Sequence, residues 1–263
     1  MKPFKTYNEQ LRILKDRGLT ITNEIEANKI LQLENYYNLI NGYKTVFLET
    51  SGSDERYKEG VTFEEIHVLY EFDRKLRLSL FDLLLKFETN LKSRIAYRFT
   101  EVYLSIHSYL DVKNYIGDRN KAKDVLSLIS KNFNVIKNQG IKENSVGHYL
   151  TNHGGVPLWV LTNYLTFGHV RNFYECMKHK ERTAVAKDFS HFFIQNYPEH
   201  NITILPHMID SIIKTVNFYR NICAHEERLY NYKIKHPSKT SHIARALNIN
   251  PELIKNGDQS RTY

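Results

Sequence analysis

The sequence predicts an all-α protein, in which an N-terminal helical extension precedes a larger helical bundle. Its 263 residues include only 11 Gly and 6 Pro, and because these residues interrupt helices, their scarcity favours long helices over a turn-rich β architecture. Apolar side chains recur three and four residues apart over long stretches, which is the spacing of one face of an α-helix. We find no convincing run of alternating apolar and polar residues that would indicate strands.

The first 48 residues are predicted to form a helical subdomain of two helices between Thr6 and Tyr43. Asn23 offers an N-cap for the second helix, and Glu26 three residues later completes a capping box. Asn41-Gly42 is expected to end this helix. The apolar positions of the two helices are Leu11, Leu14, Ile30, Leu33, Tyr37 and Ile40.

Residues 49–60 are polar and rich in turn-forming residue types, which predicts a flexible linker. Thr62 and Glu65 form the next capping box, and a long helix is expected to follow as far as about Tyr103. The predicted apolar side of this helix consists of Leu69, Phe72, Leu76, Leu80, Leu83, Leu84 and Phe87.

The rest of the chain is predicted to continue as helices within one domain, residues 61–236, followed by a basic tail, residues 237–263. Pro157 suits the first turn of one of these helices. The predicted segments are 120–137, 143–152, Pro157 to about Leu165, 180–195, and Leu205-Pro206 to about Tyr232.

The charge of the chain points to an acidic partner. The formal net charge is +8 and the pI is about 9.2, and nucleic acid is the commonest partner of such proteins. The two cysteines, Cys176 and Cys223, are too few and too far apart for a disulfide framework or a zinc site. The sequence shows neither a secretory leader nor an apolar run of the roughly 20 residues that a membrane span needs, so we expect a cytoplasmic protein without a membrane partner.

Three cations in the later half of the long helix, Lys92, Arg94 and Arg98, are candidates for binding RNA phosphates. The alternative is that they belong to a solvated helix face, which is the usual role of a charge run on a helix.

The most informative segment, Arg220-Asn-Ile-Cys-Ala-His225, lies on the last predicted helix. Projected at 100° per residue, Arg220 falls beside the apolar stripe of that helix, where an arginine is costly unless a partner receives it. Asn221, His225, Arg228 and Tyr232 share a neighbouring polar stripe. The apolar stripe consists of Ile209, Ile212, Ile213, Val216, Tyr219, Cys223 and Tyr230.

These residue types suit the cleavage of a phosphodiester in RNA. Histidine exchanges protons near neutral pH, so His225 can act on the 2′-hydroxyl or the leaving 5′-oxygen. The guanidinium of Arg220 can hold the phosphate, and Asn221 can orient the histidine or bond a phosphate oxygen. With no carboxylate or His/Cys cluster nearby to hold a metal, the expected reaction needs no cofactor and leaves a 2′,3′-cyclic phosphate and a 5′-hydroxyl. A core histidine beside a buried, ion-paired arginine would explain the same spacing without catalysis.

Four segments in the same order resemble the abortive-infection (Abi) proteins of the AbiD/AbiF branch, within the HEPN superfamily of α-helical ribonucleases and RNA-binding domains. Together they span most of the chain. They are Leu33–Tyr43 with its Tyr-Tyr and Gly-Tyr pairs, Leu69–Arg77 at the start of the long helix, Pro157–Gly168 with its Trp and Phe-Gly, and Phe218–Asn231 with the Arg…His motif.

The resemblance implies a phage-defence toxin with a HEPN-type bundle over residues 61–236. In such proteins two Arg…His motifs face each other. Since this chain has one convincing copy, the resemblance implies a homodimer in which each chain supplies Arg220 and His225. It also implies supporting roles for Arg228 and Asn231, and makes a structured small regulatory RNA a reasonable partner besides the RNA substrate.

Two other functions remain open on the sequence. One is a HEPN protein that binds RNA without cleaving it and serves as an RNA-regulated switch or scaffold. The other is a helical protein-interaction module, for which RNA binding would depend only weakly on salt.

Overall fold

The computed structural model describes residues 3–50, 54–199 and 202–232. The all-α prediction is confirmed, since nine α-helices lie within these ranges and the strands there form a single short hairpin. The helices are α1 (Tyr7–Asp16), α2 (Glu24–Leu33), α3 (Phe63–Val102), α4 (Ala122–Gly140), α5 (Ser145–His153), α6 (Leu158–Leu161), α7 (Phe167–Cys176), α8 (His179–Asn196) and α9 (Pro206–Ala224). The strands are β1 (Leu48–Thr50) and β2 (Arg56–Tyr57).

The described chain divides into two compact units. Unit 1 contains the residues up to Leu80 together with Ile222–Tyr232, and unit 2 contains Phe81–Asn221. The sequence-based boundary at 49–60 differs from this division, because the N-terminal helices share a core with the first turns of α3. The predicted basic tail, 237–263, lies outside the described residues.

The helix starts of unit 1 follow the predicted capping residues, but the capping box predicted at Asn23 and Glu26 is only half formed, because the Asn23 N–H donates to Glu64 instead. The Asn23 side chain accepts a hydrogen bond from the backbone N–H of Glu26 at 3.1 Å and caps α2. At the start of α3, Thr62 and Glu65 form both bonds of the predicted capping box, at 3.2 and 2.8 Å. These bonds join residues three positions apart, so the sequence alone is enough to indicate them.

The second N-terminal helix is shorter than predicted. It ends at Leu33, because Glu34 has an extended backbone and its carboxylate accepts hydrogen bonds from Tyr70 and Arg74 of α3 at 2.7 and 3.0 Å. The predicted continuation is instead a separate π-helical turn, Tyr37–Asn41.

The prediction of a flexible linker at residues 49–60 is partly wrong. Residues on either side of 51–53, which lie outside the described residues, pair as the antiparallel strands β1 and β2, with Leu48 opposite Tyr57. The Tyr57 ring is buried in the unit 1 core, and Glu55 forms ion pairs with Arg17 and Lys44, each at 2.6 Å. These contacts make the segment part of unit 1.

The buried face of α3 in unit 1 also differs from the predicted apolar side. Phe72 and Leu76 are exposed, whereas Asp73 and Arg77 are buried. The predicted side continues into unit 2, where Leu83 is exposed as well. An apolar pattern cannot reveal this face, because a charged pair that neutralises itself occupies two of its core positions.

Unit 2 is a helical bundle around an aromatic core. The Phe99 ring of α3 packs against Tyr103, Tyr115 and Phe173 at centroid distances of 4.7, 5.5 and 5.1 Å. The predicted helices at 120–137, 143–152 and 180–195 correspond to α4, α5 and α8. The segment after Pro157 is only the short helix α6 and a 3₁₀ turn, Thr162–Tyr164, and α7 is a further helix that we did not predict.

Candidate functional site

The last helix ends at Ala224, eight residues before the predicted end at Tyr232. Glu226 adopts the left-handed conformation, with φ of 55°, and the backbone N–H of Glu227 donates to the carbonyl of Ile222 at 3.1 Å. This is the hydrogen bond of a Schellman motif, in which His225 is the C-cap. His225 and Arg228 therefore do not continue the helical face of Asn221, and the predicted polar stripe is wrong.

Asp73 holds the chain that follows His225. Its carboxylate accepts hydrogen bonds from two successive backbone N–H groups, those of Leu229 at 3.0 Å and Tyr230 at 2.6 Å. A side chain of α3 thus provides the acceptors that a continuing helix would have supplied. This is the physical reason why the helix stops early.

The other partners of Asp73 are buried beside it. The Tyr43 hydroxyl donates to the carboxylate at 2.6 Å, and the Arg77 guanidinium donates at 2.5 Å. Burial, reinforced by the hydrogen bond to Asp73, raises the pKa of Tyr43 well above its ordinary value, so its hydroxyl remains a donor. Asp73 is completely buried, and these four hydrogen bonds offset the cost of its desolvation.

Arg228 contacts the backbone of Gly42 and the ring of Tyr230, both in unit 1. Its guanidinium donates to the carbonyl of Gly42 and lies 5.9 Å from the centroid of the Tyr230 ring. The same ring stacks on Tyr43 at 5.8 Å. Arg228 therefore ties the segment after His225 to the end of the π-helical turn.

His225 lies in a cleft of unit 1 with a volume of about 420 Å³. The side chain is exposed and makes no hydrogen bond with the described part of the chain. Tyr37, Asn38 and Asn41 of the π-helical turn also line this cleft, and their side chains are exposed. Single π-helical turns are frequent at functional sites. The exposed lining residues, His225 among them, present polar groups to a ligand.

Arg220 is described within unit 2, in the last turns of α9. Its side chain is partly buried, and Nε lies 3.7 Å from Oε2 of Glu88, a buried carboxylate of α3 that also binds Lys92 at 2.8 Å. Glu88 is the partner that the sequence argument required for an arginine beside the apolar stripe. Nε of Arg220 is buried and has no hydrogen-bond partner among the described residues.

The two asparagines predicted at the site are exposed. Asn221 belongs to unit 2, and its side chain makes no hydrogen bond with the described residues. The side chain of Asn231, in unit 1, makes none either. Their catalytic and supporting roles stay predictions.

The three cations predicted to bind RNA each have a partner in unit 2. Lys92 forms the ion pair with Glu88, and the Arg94 guanidinium lies 4.8 Å from the centroid of the Phe189 ring. Arg98 binds both carboxylate oxygens of Asp188, with its Nε at 2.8 Å. RNA binding by these residues stays a prediction, and it would require them to serve a phosphate in addition to these contacts.

Sequence reasoning missed Asp73 and its partners as determinants of the site. The signal was present as an Asp and an Arg four positions apart among the leucines of a predicted helix, which is the spacing of a helical ion pair. It did not show that the pair is buried or that the motif segment binds to it.

Other features of the described residues bear on the predicted chemistry. In that part of the chain, no group of three or more His, Cys, Asp and Glu side chains is arranged to hold a metal ion. Among the helices described, none has the length and apolar character needed to cross a membrane. Cys176 and Cys223 are both buried free thiols.

Comparison with known proteins relates the chain to a protein family. The family described as Abi-like protein matches residues 29–231, most of the chain. The chain belongs to the Abi-like protein family. Membership associates it with abortive infection, a form of phage defence. Neither the curated proteins nor the solved structures gave a match to this Abi-like chain.

Proposed function

We propose that this Abi-like protein is a metal-independent endoribonuclease toxin of the HEPN type, with Arg220 and His225 as its catalytic residues. The observation that carries the proposal is the environment of His225. Its side chain is exposed in a cleft and makes no hydrogen bond with the described residues, whereas the backbone that follows it is bound to the buried Asp73. A histidine serving only the core would be buried and hydrogen-bonded. This one is exposed in a cleft, and the chain that follows it is anchored by Asp73.

The proposed reaction is attack of the 2′-hydroxyl oxygen on the adjacent phosphorus. The 2′-oxygen–phosphorus bond forms, the bond from phosphorus to the 5′-oxygen breaks, and a 2′,3′-cyclic phosphate remains. A base must remove the 2′-hydroxyl proton and an acid must protonate the 5′-oxygen, and His225 carries one of these transfers. The guanidinium of Arg220 balances charge on the phosphate oxygens. Asn221 is the proposed aid in orienting the histidine or the phosphate, with Arg228 and Asn231 in support.

We propose further that two copies of the chain share the site, so that two histidines supply the base and the acid. A single motif per chain supports this arrangement, since the reaction requires two proton transfers. Light scattering at micromolar concentration tests it together with the cleavage assay. A protein that cleaves RNA as a monomer would show that the shared-site arrangement is wrong.

The main experiment measures cleavage of end-labelled single-stranded RNA by the purified protein in EDTA. We expect products with 2′,3′-cyclic phosphate and 5′-hydroxyl ends, and no cleavage of an RNA whose sugars are all 2′-O-methylated. His225→Ala should lower the rate by about 10²- to 10⁴-fold, and Arg220→Ala by about 10²- to 10³-fold. The matched controls are His191→Ala and Arg119→Ala, which change exposed residues outside the motif.

The outcomes separate the proposal from the alternatives. Cleavage that survives both motif substitutions would remove the site assignment. Salt-sensitive RNA binding without cleavage would support a HEPN protein that binds RNA as a switch or scaffold, and RNA binding that barely changes with salt would favour a protein-interaction module. A discrete small RNA that co-purifies with the protein would identify the proposed regulatory partner.

A further inference from the structure

We infer that a second cleft, located in unit 2, binds the bases of single-stranded RNA on their way to or from Arg220. This inference rests on the proposed function, because it assigns a binding site to the same substrate. The cleft has a volume of about 620 Å³ and lies between the second half of α3 and the short segment of α6 and its 3₁₀ turn. It shares no lining residue with the cleft that contains His225.

Two exposed aromatic rings line the cleft. Trp159, the only tryptophan in the chain, is 54% exposed, and Tyr97 is 63% exposed. Tryptophan and tyrosine are often partly exposed, but two exposed rings together in one cleft form a surface suited to binding a ligand. The neighbours of Trp159 in α6, Leu158 and Leu161, are buried, so the backbone beneath the ring is anchored. Exposed, anchored rings are the platforms on which proteins stack nucleobases.

The remaining lining is polar. Lys92 contributes a cation whose ammonium is paired with the buried Glu88, and Ser93, Thr89 and Asn163 contribute neutral hydrogen-bonding groups. None of the residues that line the cleft is acidic. A cleft that combines aromatic rings, a cation and neutral polar groups fits single-stranded nucleic acid, whose bases stack and whose phosphates need cations.

A shared carboxylate connects this cleft to the motif arginine. Oε1 of Glu88 is 2.8 Å from the Lys92 ammonium, and Oε2 of the same side chain is 3.7 Å from Nε of Arg220. The cation of the cleft and the cation of the motif are therefore separated by one buried side chain. A strand with a phosphate at Arg220 can place a neighbouring base in the cleft, which is the reason for choosing RNA as the occupant.

The single tryptophan provides a direct test. Full-length protein is titrated with a 2′-O-methylated single-stranded RNA, which cannot be cleaved, and the tryptophan fluorescence is recorded together with the anisotropy of a labelled copy of the RNA. We expect saturable quenching with the same Kd in both measurements, because a stacked base contacts the Trp159 ring. Quenching that is absent while the anisotropy shows binding would overturn the inference.

Variants measured by anisotropy extend the test. Trp159→Ala and Tyr97→Ala should each weaken binding by roughly 5- to 150-fold, the effect of losing one base–aromatic stack. Trp159→Phe should restore most of the affinity, since a ring remains. Tyr197→Ala is the matched control, because it removes a 51% exposed ring that does not line the cleft. If the control weakens binding as much as the cleft variants do, the assignment is wrong.

The two proposals fail in different ways. Cleavage by the wild-type protein with no effect of Trp159→Ala on binding would reject the cleft and leave the ribonuclease intact. Binding that requires Trp159, without any cleavage, would reject the ribonuclease and leave the cleft. The His225→Ala variant should still quench, because its histidine does not line this cleft. Quenching by a proline-rich peptide but not by RNA would identify a protein-binding groove and refute the inference.

Discussion

Replacing Asp73 is the sharpest perturbation of the segment that carries His225. The substitution Asp73→Ala leaves the buried guanidinium of Arg77 without its carboxylate, a change that costs about 3–5 kcal/mol. It also removes the acceptor of the backbone N–H groups of Leu229 and Tyr230, at about 1–3 kcal/mol for each group that water does not reach. We therefore expect Asp73→Ala to lower the free energy of unfolding by at least about 4 kcal/mol, a large part of the stability of an ordinary domain.

A milder variant keeps the test decisive if Asp73→Ala does not fold. Asp73→Asn preserves the shape and one acceptor oxygen, so the buried charge of Arg77 loses its counter-charge but keeps a neutral hydrogen-bond partner. It should lower the free energy of unfolding by about 2–3 kcal/mol, less than Asp73→Ala. Adding Arg77→Met removes that charge and should recover part of the loss, because a buried ion pair is often replaceable by apolar residues. The surface control is Asp82→Asn, whose exposed ion pair with Lys86 contributes about 0–1 kcal/mol.

Urea unfolding measures these free energies, and hydrogen exchange of peptides that cover residues 222–232 locates the effect. In Asp73→Asn, the amides of Leu229 and Tyr230 should exchange faster than in the wild-type protein, whereas Asp82→Asn should leave them unchanged. The reasoning would be refuted by an Asp73→Asn variant with wild-type stability and wild-type exchange in this segment.

Three further predictions concern stability and reactivity. Glu226→Gly should stabilise the protein by about 0.5 kcal/mol in urea unfolding, because Gly adopts the left-handed conformation freely. The neighbouring Glu227→Gly should not stabilise it. Equal effects of the two substitutions would show that the left-handed conformation of residue 226 does not affect stability. Gly147→Ala should destabilise the protein by about 2 kcal/mol or more, since the added Cβ would lie 2.2 Å from a backbone carbonyl oxygen. The control is Gly117→Ala, where the added Cβ meets nothing within 4 Å, and its Tm should fall much less. Burial raises the pKa of Cys176 to about 11. At pH 8, iodoacetamide should therefore modify this thiol about 100-fold more slowly in the native protein than in the unfolded protein, and the rate should rise towards pH 11. Equal rates in the two states would contradict the burial of Cys176.

The parts of the fold that follow from neighbouring residues could be predicted. The caps at Asn23 and Thr62 depend on bonds to residues three positions away, and α3 ends at Val102, one residue from the expected end. The predictions failed where a distant residue decides. Glu34 ends α2 by bonding to Tyr70, 36 positions away, and an apolar pattern at helical spacing contains no trace of that bond.

For the candidate site, the sequence alone determined which residue types are present and how they are spaced along the chain. Arg220 and His225 were identifiable because their chemistry suits a phosphodiester, and the need of Arg220 for a partner followed from its place beside an apolar stripe. Only the tertiary structure decided that the helix stops at Ala224, leaving His225 exposed at its end. The physical reason is Asp73, a buried carboxylate more than 150 positions away, whose hydrogen bonds to Leu229 and Tyr230 replace those of a longer helix.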